Sequence, residues 1–178
     1  MSLTRTTLLA LLLAVPSAAA LSQHQHPHTA SPYAGLEKRT PKALSDQQVA
    51  DLRAGRGMGY ALAAELNGYP GPSHVLELGE RLGLSEPQRH RVQELFDAMK
   101  METIPIGERL IAQEAELERQ FSRRTVTAAS LTDATATIAG TQAALRAAHL
   151  RYHLATVEIL TPEQVRRYGE LRGYVRDE

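Results

Sequence analysis

One short phrase recurs along this chain: leucine, then serine or threonine, two further residues, then glutamine. It is written as Leu44-Ser45-Asp46-Gln47-Gln48, as Leu84-Ser85-Glu86-Pro87-Gln88 and as Leu160-Thr161-Pro162-Glu163-Gln164. In each copy the hydroxyl can accept from the backbone N–H three residues on, while the glutamine reaches back to the N–H of the hydroxyl residue. That reciprocal pair is a capping box, and it starts a helix. The leucine before the box can staple onto N4, which is Val49 in the first copy and Val165 in the third; in the second, N4 is Arg89 and the staple is poorer. Pro162 falls at the first helical position, where its missing N–H costs nothing.

Between these starts the apolar period is helical. Val92, Leu95, Phe96, Met99, Ile106, Leu110, Leu117 and Phe121 recur mostly at steps of three, four and seven, a stripe down one face. A continuous helix from Ser85 to Phe121 spans about 54 Å, with Pro105 expected to kink it. Ser122 to Ser130 reads as a turn. Leu131, Ile138, Leu145 and Tyr152, at sevens, then mark a second long helix from about Leu131 to Ile159, and the third box opens a last helix to about Tyr174. The glycine-rich stretch from Gly55 to Pro72 has no preceding strand and no Lys-Ser/Thr, so it is not a phosphate loop. A short helix from Met58 to Leu66 closed by Asn-Gly and Pro-Gly turns is expected. The fold class is therefore all-α: a kinked long helical hairpin with short flanking helices. Alone, such a hairpin leaves its stripe half covered, which favours pairing with a second copy or bending over itself.

Residues 1–20 stand apart. Arg5 precedes the apolar run Thr6–Val15, Pro16 and Ser17 break it, and Ala18-Ala19-Ala20 offers small residues at a cleavage site. The pattern is that of a secretory signal peptide, cut after about Ala20, the alternative being an anchor that is kept. Residues 21–43, rich in His, Pro and Ser, read as a flexible arm in which His24, His26 and His28 can gather a divalent metal. Residues 44–178 form the single helical domain.

Composition narrows the function. With no Cys the chain has no disulfide, thiolate zinc site or thiol nucleophile. Twenty Lys+Arg balance twenty Asp+Glu, which argues against nucleic acid as a partner. No nucleophile elbow, Walker loop or paired-carboxylate pattern is present, so no enzyme is expected.

The boxes at Leu84–Gln88 and Leu160–Gln164, one hairpin apart in a chain with an export leader and no Cys, resemble the paired LTxxQ motifs of the Spy/CpxP family. Ser85 in place of threonine and Pro87 within the first box depart from the pattern without threatening a helix start. The resemblance covers roughly residues 75–174. It implies a cradle-like homodimer in the periplasm of a Gram-negative bacterium, requiring no cofactor and acting as an ATP-independent chaperone or envelope-stress adaptor. Its partners would be unfolded proteins or the periplasmic domain of a sensor kinase. On that reading Ile104, Ile106, Leu110 and Phe121 offer apolar contacts to a client, and Arg109, Arg123 and Arg124 offer charge.

The alternative is a heavy-metal sensor or resistance protein. His149 and His153 are four apart, so both rings leave one face of the second long helix, a spacing used for paired metal ligands. The resemblance adds His74, on the short helix before the first paired box, and Glu94 can complete a shell. Nitrogen-rich donors suit zinc, nickel, cobalt or copper.

Overall fold

The computed structural model describes residues 31–174; the expected signal peptide and the histidines of the arm lie outside them. Among the described residues there is no strand. After a single 3-10 turn, Leu36–Lys38, come six α-helices: α1 Asp46–Arg53, α2 Leu62–Glu65, α3 Pro72–Glu77, α4 Glu86–Ser122, α5 Ala128–Val157 and α6 Pro162–Arg172. Among the described residues no helix is long and apolar enough to cross a membrane. The expected all-α hairpin is present, with α4 and α5 as its arms and short helices around it.

All three leucine-led boxes close as the sequence requires. Ser45, Ser85 and Thr161 each accept from the N–H of the glutamine three residues on, and each glutamine returns the bond. A fourth box, Thr127 with Ser130, starts α5 three residues earlier than its apolar period indicates. Ser130, rather than Glu or Gln, closes it, so the usual capping-box signature is missing from the sequence. At the other end α6 stops at Gly173, whose φ of 72° takes the left-handed conformation of a helix terminator.

The two boxes one hairpin apart also clasp each other. Gln88 Nε2 donates to Gln164 Oε1 at 2.8 Å and Gln164 Nε2 to Gln88 Oε1 at 3.1 Å. Gln88 Nε2 also donates to the Ile159 carbonyl at 2.9 Å. The same two amides therefore cap α4 and α6 and join their N-termini.

Two apolar clusters hold the hairpin. In one, Leu44 and Leu52 from the α1 region pack on Ile106, Leu110 and Ile111 of α4 and on Ile138, Leu145 and Ala148 of α5. In the other, Val75, Leu82, Val92, Ile159, Leu160 and Tyr168 close the end where α3, the start of α4 and α6 meet. Complete burial of a valine such as Val75 or Val92 is worth about 1.5–3 kcal/mol. Gly107 lets α1 approach α4: a Cβ there would lie 2.7 Å from the Leu52 carbonyl oxygen.

Four expectations need correction. Ile106 and Leu110, offered as client contacts, are buried in the first cluster, because the stripe that marks a helix is the face the hairpin itself covers. Helix α2 is four residues long instead of spanning Met58–Leu66, because Met58 and Gly59 take positive φ (44° and 83°) and hold the chain in turns as far as Ala61. Leu131 leads the heptad series yet is exposed, since the first buried apolar residue of α5 is Ile138. The chain also packs on the hairpin before residue 44: Pro41 is buried, and the Lys42 N–H donates to Glu118 Oε2 at 2.7 Å.

Candidate metal site: a histidine-lined cleft

The loop between α1 and α2 lies over the hairpin because Gly55 lets it. Gly55 (φ 66°) sits where a Cβ would meet Thr103 Oγ1 at 2.9 Å, and Gly57 lies beside the His149 ring, where a Cβ would be 3.6 Å from Nδ1. Beneath this loop is a cleft of about 610 Å³. Its walls include Met58 from the loop, Glu65 from α2, His74 from α3, Met99 and Lys100 from α4, and His149 and His153 from α5.

The helical spacing of His149 and His153 thus brings both to one cavity, and their environments differ. His149 is 2% exposed and stacks on Tyr60 with ring centroids 6.4 Å apart. Its Nε2 is buried without a hydrogen-bond partner. Burial first, and then repulsion from the neighbouring His153 ring, hold its pKa down at about 4, against a smaller pull upward from Glu102; the ring is a neutral imidazole at pH 7. An orphaned buried nitrogen of this kind calls for an explanation, and a metal-ligand lone pair is one.

His153 is buried as well, and its Nδ1–H donates to the Tyr69 carbonyl at 2.6 Å. That bond fixes the tautomer and leaves Nε2 with the lone pair, as in histidines that bind metal. The backbone at Gly71 passes close to that nitrogen: a Cβ at 71 would lie 2.7 Å from Nε2.

Glu65, which the sequence did not single out, is the polar centre of the neighbourhood. It is 5% exposed, and burial by itself would raise its pKa. Hydrogen bonds from His74, Tyr168 and Tyr174, with the charge of His74, more than reverse this and hold the carboxyl at about 2. Tyr174 OH donates to Oε1 at 3.1 Å, the Gly71 N–H to Oε2 at 3.3 Å, and Arg172 Nε stands 3.7 Å from Oε1. Tyr168 OH donates to Oε1 as well. Its oxygens are taken by neighbours, so Glu65 braces the cleft wall and has little left for a ligand.

His74 lines the same cleft with its Nδ1 turned to Glu65 Oε1 at 3.3 Å. Glu94 does not reach it: the residue is exposed on α4 beside His90, with Oε1 3.5 Å from that ring's Nδ1. Among the described residues no three His, Asp or Glu side chains converge tightly enough to hold an ion. Of the apolar residues named for client contact, Phe121 is 53% exposed and Ile104 half-buried; Arg109, Arg123 and Arg124 are exposed.

An all-helical hairpin carrying two buried histidines one turn apart on a cleft is the class that fold and site define. The family model described as heavy-metal resistance matches residues 58–167, from the loop methionine into α6. The chain belongs to this heavy-metal resistance family. No curated protein and no solved structure matches the chain.

Proposed function

We propose that this protein binds a transition-metal ion at the His149–His153 cleft and serves heavy-metal resistance as a sensor or metal-holding protein. The observation that carries the reading is His149: a neutral, almost completely buried imidazole whose Nε2 has no partner, on the wall of a cleft it shares with His153 and His74. Membership of the heavy-metal resistance family supports it. The paired boxes support a Spy/CpxP-like member of the family, and the signal-peptide pattern of residues 1–20 supports work in the periplasm. No catalytic role is assigned.

The test is a metal titration of the full chain with His24, His26 and His28 replaced by alanine, so that the arm cannot contribute. Binding of about one equivalent, lost in His149→Ala and His153→Ala, is the expected result. Equal binding by parent and variants, or none by any of them, removes the reading. The client-binding reading retains Phe121, exposed beside Arg123 and Arg124. Suppression of aggregation of a denatured protein at stoichiometric amounts without nucleotide, unaffected by metal, would favour it instead.

A further inference from the structure

Helix α2 and the turn that follows it are fastened to the molecule by polar bonds. None of the described residues 61–71 belongs to either apolar cluster. The outer face of α2 carries Leu62 and Leu66, both more than half exposed, while Ala61, Ala64 and Glu65 face inward and are buried. A segment with so little apolar burial of its own opens at a lower free energy than the core.

Two points hold it down. One is the Tyr69 carbonyl, which accepts from His153 Nδ1–H on α5 at 2.6 Å. The other is Glu65. Its Oε2 accepts the Gly71 N–H at 3.3 Å and so braces the turn from within. Its Oε1 is gripped from α6 and the residues just beyond: Tyr168 OH and Tyr174 OH both donate to it, and Arg172 Nε stands 3.7 Å away. Tyr174 reaches Glu65 because Gly173, in the left-handed conformation, turns the chain back, with the Tyr174 N–H donating to the Gly169 carbonyl at 2.9 Å. Arg172 Nε donates to the Tyr174 phenol oxygen at 3.2 Å, and the Tyr174 ring stands edge-on to Tyr168 with centroids 6.4 Å apart.

We propose that residues 61–71 are a flap over His153 and that residues 172–174 are its latch: by clamping Glu65 they keep the flap shut and set how readily His153 is reached from solvent. The two histidines lie under different covers. His153 is under Tyr69 and Gly71, where a Cβ at 71 would be 2.7 Å from its Nε2. His149 is under Gly57 and Tyr60, and Met58 and Tyr60 pack against the first apolar cluster, which holds that part of the loop in place. The latch therefore governs one histidine and not the other. The coupling runs both ways: whatever draws Tyr174 off Glu65 loosens the flap, and whatever favours the shut flap orders Tyr174. The device is made of the chain's own side chains, so it stands or falls apart from the metal-binding reading.

The experiment compares the full chain with Tyr174→Phe and Tyr152→Phe, all treated with chelator. Tyr152→Phe is the control: it deletes a phenol that donates to Glu102, next to His153 in sequence but outside the latch. Backbone hydrogen exchange and acylation of each histidine by diethyl pyrocarbonate are followed by mass spectrometry. In Tyr174→Phe the amides of residues 64–71 should exchange about tenfold faster, the factor that loss of a hydrogen bond to a charged acceptor brings, and His153 should be acylated faster by a similar factor. Amides of α4 and α5 around Ile106 and Leu145, and acylation of His149, should not change. In Tyr152→Phe the flap amides should exchange as in the parent. Flap amides that exchange no faster than the core in the parent, or that Tyr174→Phe leaves unchanged, overturn the proposal. A rise shared by His149 and the core amides overturns it too, because it reports unfolding of the whole chain.

Discussion

Glu65 and His149 show how far a single residue's role can depend on partners remote in sequence. Tyr168, which donates to Glu65, lies 103 positions away, and no local pattern connects the two. Glu65→Ala leaves the buried Tyr168 hydroxyl and the Gly71 N–H without their acceptor, each costing about 1–3 kcal/mol, so the variant should unfold at much lower denaturant than the parent. Tyr168→Phe, which deletes one donor, should cost about 1–2 kcal/mol; urea unfolding of both variants checks the order. Acid should weaken the metal-free protein in two windows. His149, at about 4 in the folded state and about 6.5 unfolded, is protonated first in the unfolded chain. The stability it contributes is complete above pH 6.5 and lost as pH falls through 4, on the order of 3 kcal/mol in all. Glu65, held at about 2 against an ordinary 4.5, contributes above pH 4.5 and loses that contribution as pH falls toward 2. Unfolding free energies of chelator-treated protein at pH 7.5, 5.5 and 4.0 should decline stepwise. His149→Leu should flatten the slope between 6.5 and 4, and a parent curve already flat there would contradict the assigned burial. His149 and His153 were legible in the sequence because helical spacing alone puts them on one face; Glu65, Met58 and Met99 were not, because different segments bring them to the cleft.

At the scale of the helix, the boxes at Ser85 and Thr161 differ from the one at Ser45. Gln88 and Gln164 bond each other as well as their own caps, whereas Gln48 closes only its own. Each glutamine-to-alanine change should cost about 1 kcal/mol through lost capping. Gln88→Ala and Gln164→Ala combined should be non-additive by about 0.5–3 kcal/mol, while Gln48→Ala with either should add; a double-mutant cycle by thermal melting measures both. Two helical glycines should respond in opposite directions. Gly107→Ala drives a Cβ against the Leu52 carbonyl oxygen, an overpacking cost of about 1–3 kcal/mol that exceeds the helical gain of about 1 kcal/mol. Gly140 has open space around it, so Gly140→Ala should stabilise by about 0.5–1 kcal/mol. Helix starts were legible wherever Gln closed the box. Helix α2 was not fully so, since only the φ values of Met58 and Gly59 reveal that the chain turns there.

For the whole molecule, an ion that binds the folded chain and not the unfolded one raises stability by mass action, about 2.7 kcal/mol at a hundred times its Kd. For a chain of this size that is a rise in Tm of about 5–10 °C. It should appear with the cognate metal and vanish in His149→Ala. A scan showing the same rise in that variant would place the ion elsewhere. The expected homodimer is tested by sedimentation, a mass near 39 kDa against 19.5 kDa for one chain. What the sequence by itself determined is the set of local rules: where the leucine-led helices begin, which face of each long helix is apolar, and that two histidines share a face. These follow from hydrogen bonds and periods that reach only a few residues. Tertiary structure alone decided which apolar residues the hairpin consumes as core, as with Ile106 and Leu110. It also brought loop, α2, α3, α4 and α5 around one cleft. Those outcomes depend on elements tens of residues apart meeting in space, and glycines at 55, 71 and 107 allow the close approaches.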